Sequence, residues 1–76
     1  MPTQYKYGGL SFCIYFDDHP PPHVHVKYGE FFSVINIETG ELISGYLPSK
    51  QRRLAMKIVE ERKTLFMEKF NEYSKI

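Results

Sequence analysis

Every glycine and every proline of this chain lies at or before Pro48. Both residues break helix interiors and punctuate turns and strand ends. The part up to Leu47 reads as short extended pieces joined by turns. The part from Pro48 onward is free to be helix throughout.

Hydrophobic periodicity fills in both halves. Leu10, Phe12, Ile14 and Phe16 alternate with Ser11, Cys13 and Tyr15, the period of a half-buried strand. Gly8-Gly9 precedes it as a turn, and Tyr5-Lys6-Tyr7 reads as a short strand before that. Val24 to Tyr28 reads as the next strand, with Gly29-Glu30 as a tight turn. Phe31 to Ile37 follows, with Ser33, Ile35 and Ile37 on one face. Glu38-Thr39-Gly40-Glu41 is a hairpin connection in which Gly40 supplies positive φ. Leu42 to Leu47 returns as the last strand, and Gly45 inside it marks a bulge or a close helix contact.

After Pro48 the period changes. Ser49 is the expected N-cap. Leu54, Ala55, Ile58, Val59, Arg62, Leu65, Phe66, Phe70 and Tyr73 recur at helical spacing. One continuous helix from Ser49 to Ser74 would be about 39 Å long. A six-residue strand covers only about 20 Å. The helix therefore either breaks in two, or its apolar end (Phe66, Met67, Phe70, Tyr73) packs on another chain as a homodimer or with a protein partner. The expectation is an α+β fold: a mainly antiparallel sheet of four to five strands with one long or broken C-terminal helix across it. Residues 1–76 form a single domain, sheet over 1–47 and helix over 48–76.

Seventy-six residues with a single cysteine, Cys13, allow no internal disulfide. That fits a reducing compartment, and Cys13 reads as a small filler. No apolar run approaches the roughly 20 residues of a membrane span. The opening residues have no signal-peptide core, so the expected location is cytoplasmic. The net charge of +1 is unevenly spread. Residues 1–47 carry two Lys against five acids, net −3; residues 48–76 carry eight Lys/Arg against four Glu, net +4. Lys50, Arg52 and Arg53 place positive charge at the start of the helix, against its dipole, and so are the candidate contacts to RNA phosphates or an acidic partner. No phosphate-binding glycine loop, nucleophile elbow or zinc-finger pattern is present.

All three histidines and three of the five prolines fall within His19-Pro20-Pro21-Pro22-His23-Val24-His25, just after Asp17-Asp18. His23 and His25, at i and i+2, point to one face if that piece is extended. Three readings stand side by side. His19, His23 and His25 are of a type that holds a divalent metal, with an aspartate as a further ligand. Two imidazoles beside a phosphate serve as general base and general acid on RNA, with Lys27, Arg52 or Arg53 stabilising the charge. Or the prolines and Asp18 make a rigid structural turn, with His25 half buried among aromatics.

The stretch Tyr15-Phe16-Asp17-Asp18-His19-Pro20-Pro21-Pro22-His23-Val24-His25-Val26 resembles the signature Y-F-x-D-H-x-P-P-H-F-H of a small bacterial family of unknown function, of the DUF4160 type. Tyr28-Gly29-Glu30, Ile35-Asn36-Ile37-Glu38-Thr39-Gly40-Glu41 and Gly45-Tyr46-Leu47-Pro48 match its pattern too. Val24 stands where the family usually has Phe, and Asn36 where Asp is common. The resemblance implies a compact α+β domain, often encoded beside a second small protein in an arrangement similar to toxin–antitoxin pairs. Carried over by position, it marks Asp18, His19, His23 and His25 as the residues to test. The leading expectation is a toxin-like protein that acts on RNA and binds a partner protein. The alternatives are a non-catalytic interaction module with a rigid His-Pro turn, and a metal-binding domain.

Overall fold

A computed structural model describes residues 3–15 and 21–74 of the chain. Five strands come first: β1 (Thr3–Tyr7), β2 (Leu10–Cys13), β3 (His23–Tyr28), β4 (Phe31–Asn36) and β5 (Leu42–Gly45). Two helices follow, α1 (Ser49–Glu61) and α2 (Lys63–Ser74). The strands form one open sheet in the order β1-β2-β3-β4-β5, every neighbour antiparallel. The α+β class stands as the sequence pattern predicts; of the alternatives it left open, the sheet has five strands and the helix is broken. No helix among the described residues is long and apolar enough to cross a membrane.

Alternation decides which side of the sheet the helices cover. Leu10, Phe12, Val24, Val26 and Ile35 are buried on one face, with Ile14 and Ile37 just past their strand ends. Ala55, Ile58 and Val59 of α1 and Phe66 and Phe70 of α2 pack against them. Ser33 sits on the same face, wholly buried, its hydroxyl donating to the Val26 carbonyl at 3.5 Å.

Several boundaries differ from the alternation pattern, each for a local reason. β2 ends at Cys13, so Ile14 is buried without being in a strand. β3 begins one residue early, at His23, because His23 pairs with Asn36 and the Pro22 carbonyl accepts from Ile37 N–H at 3.0 Å. β4 stops at Asn36, whose Oδ1 accepts from the N–H groups of Glu38 and Thr39 at 2.8 and 3.1 Å. That asparagine turn ends the ladder by offering the backbone a local partner, and Gly40 closes it at φ +78°. β5 ends at Gly45, φ +82°; its pairing with β4 slips earlier, between Val34 and Ile35, where Ile43 is the extra residue. A Cβ at Gly45 would collide with the Phe32 carbonyl oxygen and lie 2.7 Å from Ser33 Cα. The close contact foreseen at Gly45 is thus with β4, not with a helix.

Ser49 is not the N-cap. Pro48 holds that place at φ −56°, ψ 149°, with no side-chain cap, and its carbonyl accepts from Arg52 N–H at 2.8 Å. Proline lacks an N–H, which no position this early in a helix can use. The helix then breaks at Arg62, φ −113°, ψ 25°. Ladder bonds persist on both sides, Arg62 N–H to Ile58 O and Phe66 N–H to Arg62 O. The change of direction brings the Phe66 ring onto Phe12, centroids 5.7 Å apart and nearly parallel. Phe66 and Phe70 are 0% and 3% exposed, so the break turns the apolar end of the helix back into the chain's own core. An unbroken helix of about 39 Å would outrun the molecule's longest extent of 34 Å.

Candidate functional site

Strand β3 sets the site. Val24 and Val26 point into the core, so His23, His25 and Lys27 project from the other face; Lys27 is exposed there, whereas His23 and His25 are half-buried. Cross-strand pairing lays out that face in rows. Lys6, Ser11, Lys27 and Phe32 lie side by side across β1 to β4. Cys13, His25, Val34 and Ser44 make the next row, and His23 pairs with Asn36 beyond it.

The aromatic rings of this face are in contact. His23 and His25 centroids are 5.1 Å apart. Tyr15 meets His25 edge-on at 4.5 Å, and Phe32 lies 5.7 Å from it. Where β3 begins, Phe70 of α2 reaches to 5.7 Å from the His23 ring. These spacings are those of favourable aromatic pairs. Phe32 is 45% exposed, and Lys6 and Lys27 are exposed beside it.

The two imidazoles differ in what they offer. Both ring nitrogens of His25 are buried. His23 is half-buried, and its Nδ1–H donates to the Pro21 carbonyl at 2.8 Å. A carbonyl can only accept, so the neutral ring carries its proton on Nδ1, and Nε2 is the basic nitrogen. The proline segment thus orients one imidazole through its own backbone.

Other candidates lie elsewhere. His19 and Asp18 fall outside the described residues, as does the three-histidine metal set that includes His19. Among the described residues no group of three His, Cys, Asp or Glu is placed to hold a metal. Lys50, Arg52 and Arg53 are exposed on the first turns of α1. Gln51 Nε2 donates to the Tyr28 hydroxyl at 3.3 Å, so α1 starts at the Tyr28 end of β3. His23 is at the opposite end, roughly 16 Å away along the strand, and on the opposite face. The fold brings His23 and His25 together with Lys27; it does not bring these helix cations to them.

Phe32 and Tyr15 are members of the site that the sequence reading left out. The doublet Phe31-Phe32 carried the signal. Neighbours in a strand face opposite ways, so one of two adjacent phenylalanines had to leave the core.

A family model described as a domain of unknown function (DUF4160) matches residues 9–71. The chain belongs to the DUF4160 family. The match spans β2 to β5, α1 and most of α2, and so includes His23 and His25. No curated protein and no solved structure matches the chain. At Asn36, where this family resemblance leads one to expect Asp, the side chain accepts two turn N–H bonds. An aspartate oxygen would accept them equally, so the position serves the turn rather than proton chemistry.

Proposed function

We propose that the chain binds single-stranded RNA on its open sheet face, with His23 as the proton-transfer residue, in the manner of the toxin-like member of a two-protein pair. One observation carries this reading: the exposed Phe32 lies directly opposite Lys27, in a row that also holds Lys6, beside the histidine rings. An open antiparallel sheet whose aromatics stack on splayed bases is a common way of holding single-stranded RNA. Stacking tolerates any base, and nearby lysines track the phosphates. His23, with its Nδ1–H donating to the Pro21 carbonyl, takes the 2′-hydroxyl proton on Nε2 as general base; the 2′-oxygen bonds to phosphorus as the P–O5′ bond breaks, and the 5′-oxygen leaves with a proton from water.

Fluorescence anisotropy with a labelled single-stranded RNA tests the binding. Phe32→Ala should weaken it by about 1–3 kcal/mol, the cost of one lost stack. His23→Ala should leave affinity nearly unchanged and lower any strand cleavage by about 100-fold or more. Wild-type chain that ignores single-stranded RNA at low salt would sink the reading.

A second reading, a protein-interaction module, is favoured by a separate observation. On edge strand β5 Ile43 is 51% exposed, and Tyr46, just past its end, is 62% exposed. An unpaired edge with apolar side chains accepts an added strand. In this reading the partner protein joins at β5, since Phe66 and Phe70 of the C-terminal helix are buried in the chain's own core. Ile43→Asp should abolish co-purification of a co-expressed neighbouring protein and spare RNA binding.

A further inference from the structure

We propose that a groove on the helix side of the molecule, remote from the open sheet face, binds a terminal phosphoryl group carried by a nucleotide-sized ligand. The groove has a volume of about 720 Å³ and runs between the β4–β5 turn and α1, within the range of small-molecule sites. Arg53, Met56, Lys57 and Glu60 of α1, Lys63 of α2 and Glu38 of the turn line it.

The charges are arranged for something other than each other. Arg53, Met56, Lys57 and Glu60 are spaced i, i+3, i+4 and i+7, one stripe of α1. Lys57 and Glu60 are close enough in sequence to pair across a turn. Among the described residues, no ion pair joins Arg53, Lys57 or Lys63 to Glu38 or Glu60; the pair the helices do form is Lys69–Glu72, at 3.9 Å. Arg53 and Lys57 are like charges at i, i+4, an arrangement that destabilises a helix. An anion between them reverses that repulsion.

The opposite wall is rigid and supplies selectivity. The N–H groups of Glu38 and Thr39 bond to Asn36 Oδ1, that of Gly40 to Asn36 O, and that of Glu41 to Thr39 Oγ1. With its donors turned inward, the turn offers no backbone cradle for the anion. The phosphoryl oxygens fall to the three side-chain cations, which supply charge-assisted hydrogen bonds. Lys63 Nζ already spans the groove to the Glu38 carbonyl at 3.1 Å, so one cation is held in place before the ligand arrives. The carboxylates of Glu38 and Glu60 accept from hydroxyl or amino groups, and Met56 lies against a base or sugar. A ligand with a phosphate at one end and hydroxyls or amines behind it matches both walls. A free mononucleotide and the 5′ end of an RNA share that chemistry.

Titration of the full chain with adenosine 5′-monophosphate, adenosine and inorganic phosphate, followed by amide NMR shifts and calorimetry, tests this. The monophosphate should bind and shift amides of α1 and the β4–β5 turn, whereas adenosine should not. Among the described residues no hydrogen bond or ion pair runs to Lys57, and Lys57→Gln should weaken binding about tenfold, the loss of one charged contact. Lys69→Gln, outside the groove, should bind as the wild type does. A short RNA with a 5′-phosphate that binds more tightly than both its 5′-hydroxyl form and the mononucleotide identifies the RNA end as the source; tighter mononucleotide binding identifies the free nucleotide. Phe32→Ala should leave mononucleotide binding intact, so failure of the sheet-face reading and failure of this one are separable. If neither the mononucleotide nor the 5′-phosphate of the RNA changes anything, or if Lys57→Gln binds unaltered, the proposal is overturned.

Discussion

At the scale of single residues, His23 and His25 look interchangeable in sequence and are not so in the fold. His25 pairs across the strands with Cys13 and Val34 and packs its ring between Tyr15 and Phe32, nitrogens inside. His25→Ala should therefore be a stability variant, costing about 1–3 kcal/mol in urea unfolding, while His23→Ala changes stability little. Equal losses for the two would show that the rings play one role. Gly45 permits a sharper comparison with Gly29. Both have positive φ, but a Cβ at Gly29 meets nothing within 4 Å, whereas at Gly45 it strikes β4 backbone. Gly29→Ala should cost about 1–2 kcal/mol, the left-handed penalty alone. Gly45→Ala should cost clearly more, because backbone atoms of β4 have to move. Chemical denaturation of both variants checks the order.

At the scale of elements, the break at Arg62 is the decision that shapes the molecule. No glycine or proline marks it. What holds it is contact: Arg62 Nη2 donates to the Tyr5 hydroxyl at 3.0 Å with its guanidinium 4.1 Å from that ring's centre, and Phe66 and Phe70 are buried beyond it. Phe66→Ala should cost about 3–5 kcal/mol, the largest effect of any single helix variant proposed here. Arg62→Ala tests the cause. Alanine is the better helix former, and the exposed cation–π contact is worth only about 0.5–1 kcal/mol. The break should survive, and residual dipolar couplings that showed one straight helix would place its cause in Arg62 rather than in the aromatic packing.

At the scale of the whole molecule, the sheet packs both helices on one face and leaves Lys6, Lys27 and Phe32 exposed on the other. Binding of RNA there should weaken with salt, and replacing Lys6 and Lys27 by glutamine should flatten the log–log salt slope by about 0.7 per lysine. A slope unchanged in the double variant would move the phosphate contacts off this face. The same architecture shows how far a sequence reading reaches. Alternation over Leu10–Ile14 and Phe31–Ile37 found the core face, because periodicity is a local property. It missed Phe32 and Tyr15, whose neighbours come from other strands. The separation of Lys50, Arg52 and Arg53 from the histidines was likewise invisible, since distance between a helix start and a strand end is set by how the two pack.

The chain's local chemistry alone determined that sheet precedes helix, that Gly40 closes the hairpin, and that two imidazoles share one side of a strand. Each follows from the steric preferences of a few adjacent residues. Where the helix bends, how deeply each histidine ring is buried, and which cations line a groove were decided only in three dimensions. They depend on surfaces from segments up to 57 residues apart, as with Arg62 and Tyr5, competing to bury the same apolar area.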